Sequence, residues 1–511
     1  MPVRPAAVIG LDIGTSAVKG LLAGPGLTPL ASAVGRYGID IGPGGRVEAD
    51  TEAVLAGCRD VIAALAAAAA RRGVVVRGMC AGGSGDEAAW VDNTGRLVAP
   101  VPTSLDSRAD GDAAALVRAI GAPQWISTTG LPVSGAYPVV RLRWLRRTSP
   151  DAAARVHRLL AWPELLAFAL GVDPRAEPTL AARSGAWSLD AHAYDEELLG
   201  AAGLPSSVLP RLVPTGSVLG RIPRRRAAAL GLPANVALVA GGFDQAMATL
   251  GSAVLTPRVA HVGAGSWQAL TVLAAARPTA DLVLSGSSVG PSIAAAGAWS
   301  VMSSGIGGAA SAWVGGLGGA GVRGRTRQDP GRRAVALAAR APDAPSGLIV
   351  LPDLDGSAAP APDRGARAVI AGLSLGDGPS LIALAVQEGV AMDLAARLDH
   401  LATAGMSVDE VRVSGGGSRG RRWLQLRADV AGRAVRGVHP ADAGAAGAAA
   451  LAAVAIGLAP DVSGALATLV RLGRPVAPRP DRHEAYLQAR SVTAGLRSAI
   501  AAALRDDGRP A

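Results

Sequence analysis

Val8-Ile-Gly-Leu-Asp-Ile-Gly-Thr-Ser-Ala-Val-Lys19 is a short apolar strand, then Asp12, then a Gly14-Thr15-Ser16 turn, then a second apolar strand carrying Lys19. A strand that delivers a carboxylate into a glycine-containing hairpin is suited to binding phosphate and its metal. Glycine lets the backbone approach and aim N–H groups at phosphate oxygens, the hydroxyls add donors, and the carboxylate can hold Mg²⁺ through water. Lys19 is the only lysine in the chain, all other basic residues among the 50 being arginine. Taken alone, the run equally suits an ordinary hairpin whose Asp and Thr are turn formers.

At 511 residues the chain is too long for one core, and two domains are the natural expectation. Half of the residues are hydrophobic but only 3% are aromatic, so the cores must be built from Ala, Val and Leu. The net charge of +10 raises a nucleic-acid reading. The arginines, however, are scattered (Arg141, Arg143, Arg146 and Arg147; Arg221 and Arg224 to Arg226) with no interleaved stacking aromatics, which points to a solvated surface. Cys58 and Cys80 form neither a disulfide framework nor a metal site and suit a reducing cytoplasm. The histidines are isolated, with no zinc-type spacing. The first strand begins within a handful of residues, so no signal peptide is expected. The uncharged runs are broken by Gly, Ser and Pro291 or are Ala/Gly-rich, so no membrane span is expected either.

Strand-like and helix-like segments alternate through the first half. A helix is expected around Ala49 to Arg72, a strand over Val74 to Met79, a glycine turn at Gly82-Gly-Ser-Gly85 and a strand over Ala88 to Val91. Helices are expected over Val139 to Arg147, Asp151 to Leu160 and Trp162 to Leu170. The second half starts again: the buried strand Ala237 to Ala240 ends in Gly241-Gly-Phe-Asp-Gln245. Two further strands flank Gly263-Ala-Gly-Ser-Trp267, and Val411 to Val413 runs into Ser414-Gly-Gly-Gly-Ser418. A second strand–Gly/Ser turn–strand hairpin echoing the first predicts two domains of one α/β architecture. The Ala/Gly-rich segment from Ala443 to Pro460 predicts a buried helix.

Further fragments occur in a fixed order: Trp90-Val-Asp-Asn-Thr-Gly95, Asp106-Ser-Arg-Ala109, Thr129-Gly-Leu-Pro132 with Arg141-Leu-Arg-Trp144, Gly265-Ser-Trp267, Gln387-Glu-Gly389 and Gln425-Leu-Arg-Ala-Asp429. In that order, with the two hairpins, the chain resembles the FGGY carbohydrate kinases (xylulokinase-like) of the actin-like ATPase superfamily, from Val8 to about Arg490. The resemblance implies an α/β protein of two actin-like (ribonuclease H-like) domains with an ATP/sugar cleft between them. Residues 1–245 would form the N-terminal sugar- and phosphate-binding domain, and residues 246–511 the C-terminal nucleotide-binding domain. It implies an ATP-dependent kinase that moves the γ-phosphoryl group to a hydroxyl of a small sugar or polyol, a ketopentose such as xylulose being favoured. A non-catalytic sugar- or nucleotide-binding sensor on the same fold is the alternative, and the presence of both Asp12 and Asp244 favours the enzyme.

Phosphoryl transfer needs a base for the hydroxyl proton and neutralisation of the phosphoryl oxygens. Under the resemblance Asp244 is the catalytic base, and Asp12 and Asp244 hold Mg²⁺ through water. ATP is met by Gly14, Thr15, Ser16 and Lys19, by Gly265, Ser266 and Gly308, and by the adenosine-motif glycines Gly415, Gly416 and Gly417. The acceptor is met by Gly85, Asp86, Asp106, Asp244 and Gln245. Gly85 and Asp86 occupy the places where D-xylulose kinases carry Met-His and glycerol kinases carry Arg-Glu, so neither specificity signature is present. The family's G-E-R-x-P loop is altered to Gly356-Ser-Ala-Ala-Pro360. The partner implied is a small carbohydrate, with no nucleic acid and no membrane, and with room for a homodimer. G-x-G-x-x-G does not follow the first strand, and G-x₄-G-K-[ST] cannot occur when the only lysine follows Val18, which excludes Rossmann and P-loop readings.

Overall fold

The computed structural model describes residues 4–295, 297–317, 329–343 and 345–506. Contacts divide the chain into two compact units, Met1–Leu255 with Val289–Ser300 and Asp442–Arg471, and Thr256–Ser288 with Val301–Ala441 and Leu472–Ala511. The segment 442–471, placed by the sequence division with the second half, thus packs with the first.

The first unit is built on a six-stranded sheet. Its strands are β1 (Ala6–Ile13), β2 (Ala17–Ala23), β3 (Pro29–Arg36), β4 (Val75–Gly83), β7 (Val218–Arg221) and β8 (Ala237–Phe243), in the order β7-β8-β4-β1-β2-β3. β1, β4 and β8 are parallel neighbours, while β1–β2 and β2–β3 are antiparallel. Apolar residues fill β1 because both of its faces are covered. On one side the helix Thr51–Arg71 lies over β2 and β3, started by Asp50, whose carboxylate accepts from the N–H groups of Glu52 and Ala53. Although long and apolar enough to cross a membrane, this helix buries Val54, Cys58, Val61, Ile62 and Leu65 in the core. Gly20 permits the close approach: a Cβ there would sit 2.6 Å from Val61 and 2.7 Å from Leu65.

On the other side the helix Ala443–Ala455 lies on β1 and β4. A Cβ on Gly10 would stand 2.0 Å from the Ala445 carbonyl oxygen, so helix and strand touch backbone to backbone. That contact explains why the segment is almost entirely Ala and Gly: larger side chains would force the layers apart.

One expected helix is in fact a strand in its second half. The helix ends at Ala154, and Arg158–Ala161 (β6) pairs antiparallel with Ala88–Val91 (β5). Leu159, Leu160 and Ala161 are all buried, and a short continuous apolar run carries no period that separates strand from helix.

The second unit repeats the plan. β9 (Val259–Ala264) and β10 (Trp267–Ala274) form an antiparallel hairpin; β12 (Glu410–Gly415) runs parallel to β9, and β13 (Ala434–His439) parallel to β12. With β11 (Trp299–Ile306) the order is β11-β10-β9-β12-β13, matching β3-β2-β1-β4-β8 strand for strand. The helices Pro379–Thr403 and Arg421–Ala431 pack together in this unit.

Candidate active site

Three parallel strands of the first unit end side by side. Asp12 near the end of β1 lies opposite Gly82 on β4, and Gly83 lies opposite Phe243 on β8. Polar side chains placed just beyond the carboxyl ends of such strands face a common space, the usual location of a ligand site in an α/β sheet.

At the first hairpin, the Gly14 N–H closes the turn on the Ala17 carbonyl at 3.0 Å and the Tyr37 hydroxyl donates to the Gly14 carbonyl. The N–H groups and hydroxyls of Thr15 and Ser16 keep no partner among the described residues. Lys19 Nζ stands 3.8 Å from Asp12 and 3.7 Å from Asp442. Burial pushes the Asp12 carboxyl above the usual range; Lys19 pulls it down and Asp442 pushes it up again. The helix Ala443–Ala455 comes so close that a Cβ on Gly444 would lie 2.8 Å from the Asp12 carboxyl carbon.

Asp244 is the first residue of the helix Asp244–Leu250, directly after β8. Its Oδ1 and the Gln245 Oε1 are sealed from solvent and have no hydrogen-bond partner among the described residues. Burial, with Asp12, Glu87 and Asp86 adding repulsion, raises the Asp244 carboxyl to about 8. The two glycines before it are fixed by packing. A Cβ on Gly241 would meet the Ala81 carbonyl at 2.2 Å, and one on Gly242 would meet Thr179 Oγ1 at 2.5 Å and Glu177 Oε2 at 2.7 Å. Glu177 is buried beneath the strand end. It accepts from the Thr179 N–H at 2.8 Å, the Thr179 hydroxyl at 2.5 Å and the Thr215 hydroxyl at 2.6 Å, while Thr179 Oγ1 accepts from the Phe243 N–H at 2.9 Å. This chain of bonds fixes the backbone from which Asp244 projects.

The turn after β4 is clamped from within. Glu87, fully buried, accepts from the Ser84 hydroxyl and from the Ser104 N–H at 2.8 Å. Arg141 donates to the carbonyls of Asp86 at 2.6 Å, Pro102 at 2.8 Å and Thr103. Both oxygens of Asp86 accept from Arg183, Nε to Oδ1 at 2.9 Å and Nη2 to Oδ2 at 3.0 Å. Asp106 is likewise occupied, taking bonds from Arg108 (Nη2 at 2.7 Å) and the Val47 N–H at 2.9 Å. Burial pushes Asp106 up, but the bonds from Arg108 and Val47 outweigh it and hold the carboxyl below its ordinary value.

In the second unit the hairpin turn Gly265-Ser266 is met by three N–H groups. Gly307 and Ala309 donate to the Ser266 carbonyl at 3.0 and 3.1 Å, and Gly308 donates to the Gly265 carbonyl at 2.8 Å. Gly415, with φ +78, lies opposite Ala264, where a Cβ would be 2.9 Å from the Ala264 carbonyl oxygen. Gly417 leaves room for the Trp423 indole, a Cβ there falling 3.1 Å from its Nε1, whereas Gly416 faces open space. Gly265, Ser266, Gly308 and Gly415 to Gly417 are thus brought together around the end of β9. Beneath them Arg427, buried, lies 4.5 Å from the Trp423 ring and donates to Gln268 Oε1 at 2.6 Å. Burial, with Arg397 nearby, lowers Arg427 to about 9.

Sequence reasoning named neither Glu177, Arg183 nor Asp442 as a site residue. Glu177 and Arg183 bracket the run Glu177-Pro-Thr-Leu-Ala-Ala-Arg183, which carries no local periodic or glycine signal, and Asp442 is distant in sequence from the hairpin it faces. Two quoted motifs prove to be clamps. Glu388 accepts from Ser346 and from the Tyr486 hydroxyl at 2.8 Å, and Asp429 accepts from Arg479 at 2.7 and 3.0 Å and from Gln425 at 2.8 Å.

Each unit thus carries a Gly/Ser hairpin at the same strand end of a like-ordered α/β sheet. The chain matches the model of the FGGY family of carbohydrate kinases, N-terminal domain, over residues 7–251, and that of the C-terminal domain over residues 262–456. The protein belongs to the FGGY family of carbohydrate kinases, and its fold is the actin-like ATPase fold of that family. It is 29% identical over 383 residues to a glycerol kinase of Aromatoleum aromaticum, covering 72% of this chain and 73% of the relative. Its structure is similar to that of a gluconate kinase from Lactobacillus acidophilus (TM-score 0.86, 21% identity, 98% of this chain and 99% of that one). It is equally similar to a ligand-bound xylulose kinase from Lactobacillus acidophilus (TM-score 0.86, 22% identity, 97% and 99%). The protein is therefore an ATP-dependent carbohydrate kinase, a phosphotransferase with an alcohol acceptor, and it uses ATP with Mg²⁺.

The residues present suit that cofactor. Among the described residues no group of three or more His, Cys, Asp or Glu converges as a direct metal cage. Mg²⁺ needs none, since one or two carboxylates with water and phosphate oxygens serve it. The orphaned Asp244 Oδ1 and the lysine-linked Asp12 would be the carboxylates to hold it, and the N–H and hydroxyl groups of Thr15 and Ser16, without partners among the described residues, suit phosphate oxygens.

Proposed function

We propose that this kinase phosphorylates a ketopentose or related small polyol, with Asp244 as the general base and the first unit binding both acceptor and phosphate. The observation that carries the reading is Asp244: a buried carboxylate oxygen without a hydrogen-bond partner, at a strand end fixed by Glu177 and Thr179, with the carboxyl raised to about 8. A base works best when its pKa lies near the working pH, because it is then both available and strong enough to take the hydroxyl proton. A cation held near Asp12 and Asp244 would draw that value down, keeping Asp244 ionised when ATP is present.

In this reading Asp12 and Asp244 hold Mg²⁺ through water, and the ion supplies charge neutralisation on the phosphate oxygens. Thr15, Ser16 and Lys19 meet the phosphates in the first unit. Gly265, Ser266, Gly308 and the glycines 415 to 417 meet the nucleotide in the second, where the missing side chains let a purine lie on backbone. Asp86 and Asp106 serve the acceptor by holding the surrounding loops, since arginines already take their oxygens. Gln245 Oε1 and Asp244 are the acceptors left for sugar hydroxyls. Two free, buried cysteines support a cytoplasmic setting. An ADP-release assay over pentuloses, polyols and aldonates tests the reading. Turnover on a ketopentose or polyol is the expected result, and no acceptor-dependent release with any of them would contradict it.

A further inference from the structure

Arg183 crosses the first unit's acceptor turn in a way no motif announces. A Cβ on Gly85 would lie 2.9 Å from both Cβ and Cγ of Arg183, so the arginine stem occupies the space that a side chain at position 85 would fill. Its guanidinium is gripped along one edge by Asp86 and lies 5.4 Å from the Tyr137 ring centre and 5.1 Å from that of Phe243. Phe243 precedes Asp244, and Asp244 lies within electrostatic reach of the guanidinium. The grip uses Nε and Nη2. Nη1, with two further N–H groups, has no hydrogen-bond partner among the described residues. A planar cation held on one edge and set against two rings is a preorganised donor on its free edge.

The surrounding charge fixes what that edge can accept. Arg183 is matched by Asp86, Arg141 is tied to three carbonyls, and Lys19 is shared between Asp12 and Asp442. The carboxylates of Asp12, Glu87 and Asp244 all act on this strand end. A second anion here would meet more carboxylates (Asp12, Asp86, Glu87, Asp106 and Asp244) than cations, whereas hydroxyls can accept from Arg183 and donate to Asp244.

We propose that Arg183 is a specificity-determining residue that donates through Nη1 to an acceptor hydroxyl, and that the acceptor is a neutral polyhydroxylated compound rather than an aldonate. The inference rests on the first unit being the acceptor-binding unit of the kinase. The test is ADP release by the full-length enzyme with neutral pentuloses and polyols and with aldonates of matching carbon number, repeated for Arg183→Gln and for Arg183→Lys, which keeps the charge but not the fork. The wild-type enzyme is expected to prefer a neutral acceptor by roughly a hundredfold in kcat/KM, the scale of uncompensated like charge. Each variant is expected to raise the acceptor KM by about tenfold or more while the KM for ATP stays in place. A rise in melting temperature on adding ADP identifies folded variants, and the wild-type preference stands as a test whether or not they fold. An aldonate used as well as its neutral counterpart overturns the inference, as do folded variants with unchanged acceptor KM. A wild-type enzyme whose ADP release no acceptor stimulates overturns the acceptor-site reading beneath it, a separate outcome.

Discussion

Lys19 Nζ stands almost equidistant from two carboxylates, 3.8 Å from Asp12 and 3.7 Å from Asp442, so the single lysine of the chain joins the first hairpin to the start of the helix Ala443–Ala455. The pair is partly exposed and adds little to stability by itself. Its consequence is electrostatic: it keeps a buried carboxylate within reach of a positive charge where a metal–phosphate group is expected.

Asp12→Ala removes that carboxylate. Turnover should fall by about 10–100-fold, the usual effect of losing a group that holds a metal through water, while acceptor affinity measured by calorimetry without nucleotide should hardly move. Wild-type turnover in this variant would show the hairpin to be purely structural.

Glu177→Ala tests the support beneath Asp244. Removing the carboxylate leaves the buried Thr179 hydroxyl and the half-buried Thr215 hydroxyl short of an acceptor and opens a small void. A loss of about 2–4 kcal/mol in unfolding free energy is expected by denaturant titration, together with a lower kcat from the looser Phe243–Asp244 backbone. An unchanged midpoint would mean the network is not fixing this strand end.

The backbone contact of β1 with the helix Ala443–Ala455 predicts opposite outcomes at two glycines. Gly10→Val drives a side chain into the Ala445 carbonyl, 2.0 Å from the Cβ position, and should cost about 3 kcal/mol or more. Gly495, exposed on the helix Pro480–Asp506 with nothing within 4 Å, should gain about 0.5–1 kcal/mol as Ala. Melting curves of the two variants check the pair, and a destabilising Gly495→Ala would count against the packing described.

Much of the fold was legible because its signals are local. The Val8–Lys19 hairpin, the Gly265–Ser266 hairpin and the Ala/Gly helix each carry their own pattern, and the structure places a strand pair or a buried helix at each. Position 158–161 was not legible, since the three apolar residues after Arg158 fit either strand or helix until pairing with Ala88–Val91 decides. Within the site, the residues of the hairpin turns and strand ends are announced by glycines and turn chemistry. Glu177, Arg183 and Asp442 reach the site from distant segments, and only tertiary packing brings a buried carboxylate or guanidinium there. The same limit applies to Asp86, whose carboxylate is gripped by Arg183, 97 positions away in the chain.

Asp244 also predicts a pH dependence of stability. Its folded value of about 8 lies above the ordinary value of 3.8, so the native state holds this proton over a window in which the unfolded chain has lost it. The native state therefore binds more protons between these values, and the group's contribution to stability falls as pH rises through the window, levelling off above it. In the absence of nucleotide, the melting temperature of Asp244→Asn minus that of the wild type should grow from pH 5 to pH 8 and then flatten. A constant difference across that range would mean Asp244 titrates like an exposed carboxylate.

The most direct measurement is the steady-state kinetics of Asp244→Asn at saturating ATP and acceptor. The substitution keeps the size and one acceptor oxygen but cannot take a proton. With Asp244 as the base, kcat should fall by about 10²–10⁴-fold, while the KM values for ATP and acceptor stay near those of the wild type. A folded variant with near-normal kcat would contradict the account and require another group to take the hydroxyl proton.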